Sequence, residues 1–171
     1  MSIKSLFLLI LVFLAQPVLA EDSDYLFSAA ILGKTDRVKS LLAKGVNVNT
    51  ATVTGRTAMM AASFNGNERV VRLLLAYGAD VNLADNMGST ALMDAVIFGS
   101  EELVKLLITA GANVDALDNQ NISIIDKAKK TKYSNIVKIL EPLVTVIEEK
   151  TDDAATDSST ETEDTTEESK E

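Results

Sequence analysis

The residues able to do chemistry in this chain are almost all carboxylates and amines. Its 171 residues include no histidine and no cysteine. That removes Ser-His-Asp and Cys-His nucleophilic catalysis, structural zinc sites built on those side chains, haem attachment and disulfides. A cysteine-free chain also suits an oxidising compartment. Among the acids, Asp94 and Asp126 come closest to a repeating pair, 32 residues apart. General acid–base chemistry needs two groups converging on one reacting bond, and nothing in the spacing brings these two together. Both are expected to be exposed or helix-capping acids. The acids of the C-terminal end lack the spaced loop of a calcium site. The expectation is therefore a protein that is not an enzyme and uses no cofactor or metal.

The amines offer a different chemistry, ionic contact with an anionic partner. Lys34, Arg37, Lys39 and Lys44 lie near the start, and Lys127, Lys129, Lys130, Lys132 and Lys138 near the end. Lysine runs mostly mark solvated faces, so they read first as solubilising ends. The net charge of −9 is unevenly placed. Residues 151–171 hold nine acids and one lysine, whereas 21–150 hold sixteen acids and fourteen bases. The body is nearly neutral. It shows no basic stripe with interleaved aromatics, so no nucleic acid is expected as a partner.

What positions these groups is a repeat. Gly33, Gly66 and Gly99 are 33 apart, as are Gly45, Gly78 and Gly111, and Gly55 and Gly88. Such a period means stacked supersecondary units, whose function is read from the surface the stack presents. Aromatics make up only 5% of the chain, so the core must be aliphatic and small. Thr57, Thr90 and Ser123 stand where hydroxyls would cap first helices. Gly66 and Gly99 suit the turn inside a helix pair, and Gly45, Gly78 and Gly111 the end of each second helix. Val70, Leu73, Leu74, Val104, Leu106 and Leu107 lie at helical spacing and form an apolar face. Ala61, Ala62 and Ala95 are small enough for neighbouring first helices to approach closely.

Thr57-Ala-Met-Met-Ala-Ala62 and Thr90-Ala-Leu-Met-Asp-Ala95 resemble the T-P-L-H-x-A signature of ankyrin repeats. Alanine takes the proline position and methionine the histidine position. Val70–Leu75 and Leu103–Ile108 resemble the second-helix core of that family, and Gly78–Asn82 and Gly111–Asp115 its exit. The resemblance implies an all-α solenoid of about four helix-turn-helix units joined by β-hairpin-like turns. The units span 24–51, 52–84, 85–117 and 118–150 of a domain over 21–150. It also implies that the missing histidine removes a hydrogen bond usually made to the signature threonine. In the fourth unit Asn121, Ser123 and Lys132 replace the turn glycine, the threonine and the inter-helix glycine, which marks a degenerate cap. Pro142 interrupts the last helix, which is expected to resume over Leu143–Lys150.

In the ankyrin family, partners are held by turn tips and by the concave side of the first helices. Repeat phase carries the tips onto Val53, Thr54 and Arg56, onto Asn86, Met87 and Ser89, and onto Asn119, Gln120 and Ile122. The first-helix ends fall at Ile31-Leu32, Phe64-Asn65, Ile97-Phe98 and Lys130-Thr131. Phe64, Met87, Ile97 and Phe98 are expected to form an apolar strip that anchors a protein partner. Alanine at Phe98 or Met87 is expected to leave the fold intact.

The two ends complete the reading. Lys4, the apolar run Leu6–Ala15 and Val18-Leu19-Ala20 have the pattern of a secretory signal peptide over 1–20, cleaved after Ala20. The run is too short to span a bilayer, so no stable membrane insertion is expected after cleavage. Residues 151–171 carry no large apolar side chain and are expected to remain a disordered acidic tail. The chain thus resembles small exported bacterial ankyrin proteins, which implies a monomeric, periplasmic or secreted protein-binding module. Some proteins of that kind are linked to protection against peroxide and some neutralise toxins delivered into the periplasm. The alternative is an exported effector that binds a host protein.

Overall fold

A computed structural model describes residues 18–144, with side-chain environments from Asp24 onward. Of the expected leader over 1–20, residues 1–17 lie outside the described residues, as does the expected tail over 151–171; Val18–Ala20 form the start of the first helix. Four helix pairs follow one another: α1 (Val18–Ile31) with α2 (Thr35–Ala43), α3 (Ala58–Phe64) with α4 (Glu68–Ala76), α5 (Ala91–Phe98) with α6 (Glu101–Thr109), and α7 (Ile124–Lys129) with α8 (Ser134–Leu140). Isolated antiparallel bridges Ala51–Thr57, Ala84–Thr90 and Leu117–Ser123 pinch the turns before α3, α5 and α7. This is the all-α solenoid with hairpin-like turns that the ankyrin resemblance implies.

The first helices α3, α5 and α7 start for a local reason. Thr57 Oγ1 accepts from the amide of Met60 at 3.3 Å, Thr90 Oγ1 from Met93 at 3.4 Å, and Ser123 Oγ from Asp126 at 3.1 Å. These satisfy first-turn amides that have no partner inside the helix. At Met60 the thioether partly fills the role expected of a histidine, because its Sδ lies 3.5 Å from the amide nitrogen of Thr57 and accepts from it.

The core runs the length of the stack between first and second helices. Leu74, Leu92, Met93, Leu103, Leu107 and Ile124 are fully buried. A buried side chain of this size contributes about 1.5–3 kcal/mol in removed apolar surface. First helices touch through small residues: Ala58, Ala61, Ala62, Ala91 and Ala95 are all buried. Such thin elements cannot bury a core alone, so each depends on its neighbours.

The inter-helix turns are locked by the following repeat. Asn67 Nδ2 reaches back to donate to the carbonyls of Ala30 at 2.9 Å and Ile31 at 3.0 Å, closing the C-terminal end of α1. Asn67→Ala is expected to cost about 1–2 kcal/mol, at roughly 1 kcal/mol for each hydrogen bond. A lower urea midpoint with an unchanged slope would show it; an unmoved midpoint would mean water replaces the amide fully.

The fourth unit departs as its sequence predicts. Asn121 sits at φ +56 where Gly55 and Gly88 stand at +78 and +74, a left-handed position that asparagine tolerates better than other side chains. Two expectations are corrected. Lys127 is turned inward onto Asp118 rather than exposed with the other lysines. Leu143 and Val144 lie in a turn and a bend after α8 rather than in a resumed helix, and 145–150 lie outside the described residues.

Candidate protein-binding surface

The turns before α3, α5 and α7 are built around a residue at the same phase. Thr52 Oγ1 accepts from the amide of Arg56. Asp85 Oδ1 accepts from Met87 and Ser89, and Asp118 Oδ1 from Gln120 and Ile122, each at 2.9 Å. The side chain at the base of each turn therefore fixes the backbone of its tip. The tips are then joined from turn to turn. The Asn86 amide nitrogen donates to the Thr54 carbonyl and its Nδ2 to the Val53 carbonyl; Asn119 repeats this onto Met87 and Asn86. Asn86 and Asn119 are thus tied into the stack. Their side-chain nitrogens hold the tips in register, although both residues stay exposed.

The tips present apolar side chains among polar ones. Val53 is 98% exposed and Met87 63%. Thr54 and Gln120 are also exposed, while Ser89 and Ile122 are half-buried. On the first-helix ends, Ile31, Leu32, Phe64, Ile97 and Phe98 all show apolar surface, and Asn65 lies exposed between Phe64 and the turn. The row ends in exposed Lys130 and half-buried Thr131.

Phe98 has a second task. Its ring lies over Gly66 of the preceding repeat, and the Tyr133 ring lies over Gly99 in the same way. Phe98 is still 44% exposed, but it is a packing residue as well as a surface one. The expectation that Phe98→Ala spares the fold is therefore revised, because removing the ring uncovers the turn at Gly66.

Arg56 is likewise committed to the structure. Its Nη2 donates to Asp94 Oδ2 at 2.6 Å, its Nη1 lies 3.9 Å from Asp85 Oδ2, and its guanidinium stacks over the Phe64 ring at 5.7 Å. The Asp94 carboxylate is only 3% exposed. This corrects the expectation of an exposed or capping acid; only Asp126, which accepts from Ser123 Oγ at 2.6 Å, behaves that way. Burial raises the Asp94 carboxyl from 3.8 to about 7, against the opposing pull of Arg56. Asp85 raises it further and Lys127 lowers it. Asp118 is shifted the other way: the hydrogen bond from Lys127 and those from the turn amides hold it below its usual value.

The inward role of Asp94 was missed because Ala61, Asp94 and Lys127 share one phase but not one chemistry. The usable signal was that an acid replaces a small residue in a helix whose neighbours are apolar. Among the described residues, no group of three or more acidic, histidine or cysteine side chains could hold a metal ion. Nor is any described helix long and apolar enough to cross a membrane.

Stacked helix pairs with pinched turns, threonine caps and a 33-residue interval define a solenoid repeat protein. The family model described as "Ankyrin repeats (3 copies)" matches residues 26–118, and the chain belongs to that family. The match ends at Asp118, just before Asn121 and Lys132 depart from the glycine pattern. A search of the curated proteins found no match. Ankyrin-repeat proteins are generally protein-interaction modules and typically non-catalytic, so the surface of the stack is the place to look for activity.

Proposed function

We propose that this chain is a non-catalytic, monomeric protein-binding module of the bacterial periplasm. It holds its partner on the turn tips and the concave ends of the first helices. The observation that carries the reading is the exposed apolar set Val53, Met87, Phe64, Ile97 and Phe98 on a scaffold whose neighbouring polar side chains already have partners within the stack. Exposed apolar surface of this kind is costly in a soluble protein and usually marks an interface, with aromatic side chains as anchors. The periplasmic assignment is supported by the secretory pattern of residues 1–20 and by the absence of cysteine. In that compartment the module would serve in stress protection or in neutralising a delivered toxin.

The test uses Val53→Asp and Met87→Asp, because both side chains stand clear of the core. Each variant is expected to unfold at the wild-type urea midpoint and to capture at least tenfold less partner from osmotic-shock fluid. Asn65, Ser89 and Gln120 border these positions and serve as secondary probes; Arg56 does not, because it is held by Asp94. Unchanged capture by both aspartate variants would reject the surface. Absence of the protein from the shock fluid would reject the compartment without touching the surface.

A further inference from the structure

In the two internal repeats, the base at one surface phase is paired along its own helix. Arg72 pairs with Glu68 at 2.7 Å and Lys105 with Glu101 at 2.6 Å, one helical turn apart in α4 and α6. The next base at this phase is Lys138 in α8, but Ser134 stands where the glutamate should be. Lys138 therefore has no ion pair among the described residues. The same holds for Lys129, Lys130 and Lys132, all exposed around the turn between α7 and α8. Lys132 finds only the Tyr133 ring, at 5.6 Å. Nearby acids do not compensate, since Asp126 is engaged by Ser123 and Asp118 by Lys127. The fourth unit thus gathers four bases without ion pairs, Glu141 at the end of α8 making none with them; the first unit has four of its own in Lys34, Arg37, Lys39 and Lys44, but it lies at the far end of the stack from the C-terminal segment.

The missing carboxylates follow in the same chain. Residues 151–171 carry nine acids against one lysine. Asp152 comes eight residues after Val144, the last described residue, which leads directly out of the lysine-bearing unit. At about 3.3–3.6 Å per extended residue, reach is no obstacle. A tether this short gives an effective concentration on the order of millimolar. We infer that the acidic segment 151–171 docks on the basic face formed by Lys129, Lys130, Lys132 and Lys138. Single exposed ion pairs are weak and screened by salt, so the contact rests on many carboxylates facing several ammonium groups. Composition matches that mode: the segment has no large apolar side chain to bury, and the face it meets is charged. The inference does not depend on the proposed partner surface, because it concerns an intramolecular contact that exists without any partner, although Lys130 also closes the row of first-helix ends.

The absence of native cysteine makes the experiment clean. Ser159→Cys in the full mature chain takes a single nitroxide label, and amide signal loss is read by NMR. Broadening is expected to be severalfold stronger at Lys129–Tyr133 and Lys138 than at Lys34–Lys44, and to vanish at 0.5 M salt. Glutamine at Lys129, Lys130, Lys132 and Lys138 together should abolish it. Because a fourfold change in the cap could loosen α7 and α8, a second variant replaces the nine tail acids by their amides and leaves the repeats untouched; it should give the same loss. Broadening spread evenly over both lysine groups, or unchanged by salt and by the tail amides, would overturn the proposal. Loss that persists only in mixed labelled and unlabelled samples would place the contact between molecules and overturn it too.

Discussion

Replacing Arg56 by alanine is expected to destabilise the fold by about 2–3 kcal/mol at pH 8 and by clearly less at pH 5. The Asp94 carboxylate it leaves behind is buried beneath the turn tips, where a charge without its partner is expensive. A hydrogen bond to a charged group is worth about 1.5–3 kcal/mol, and the 28% exposure of Arg56 keeps the loss near that range rather than above it. The pH dependence has a definite sign. The Asp94 pKa rises from 3.8 unfolded to about 7 folded. Between those values the folded chain keeps a proton that the unfolded chain has released, so stability falls as pH rises toward 7. A shift of that size corresponds to something on the order of 4 kcal/mol. Asp118, held low by Lys127, acts oppositely: its contribution is present above the usual aspartate range and is lost as the solution becomes more acidic. Stability should therefore peak at mildly acidic pH. Urea midpoints from pH 4 to 8 read the profile. Asp94→Asn, which keeps an oxygen for Arg56, should flatten the decline between pH 5 and 8. An unchanged decline in that variant would mean that another group causes it.

Gly66→Ala is expected to cost about 2–4 kcal/mol, well beyond the effect of the same change at Gly78. Both glycines have positive φ, +69 and +79, so alanine brings backbone strain of about 1–2 kcal/mol to each. At Gly78 an added methyl meets open space, whereas at Gly66 it would land in the Phe98 ring. Displacing that ring is an overpacking cost of about 1–3 kcal/mol. The pair should be coupled: in Gly66→Ala with Phe98→Ala the ring no longer obstructs the methyl, so the double variant should lose less than the two single losses combined. Urea unfolding of the four chains in this cycle measures the coupling. Strict additivity, or equal losses at Gly66 and Gly78, would remove the ring from the explanation.

Much of this architecture was legible in the residues. A 33-residue glycine interval, hydroxyls at Thr57, Thr90 and Ser123, and apolar residues at helical spacing each constrain one local step. A solenoid is assembled from such steps. Even the decay of the fourth unit could be read, since Asn121 is one of the few side chains that can take over a glycine's left-handed conformation. Local chemistry determines elements whose partners lie a fixed number of residues away, and here the repeat turns sequence distance into spatial distance.

What the tertiary structure alone decided was which groups the longer side chains meet. Phase places Phe98 beside Asn65 and Thr131, and gives no sign that its ring covers Gly66. Phase places Asp94 with Ala61 and Lys127, and cannot show that Arg56, 38 residues earlier, reaches across to it. The same holds for Lys127, which leaves the basic face for Asp118. Asn86 and Asn119 were legible as turn-tip residues, but their amides bind carbonyls of adjacent turns. The physical reason is common to them. A long side chain reaches beyond its own position, into the neighbouring repeat or, for Lys127, within its own unit, and the period alone does not say which group it meets there. The interval determined where every side chain would stand; packing between repeats decided which remained free to meet a partner.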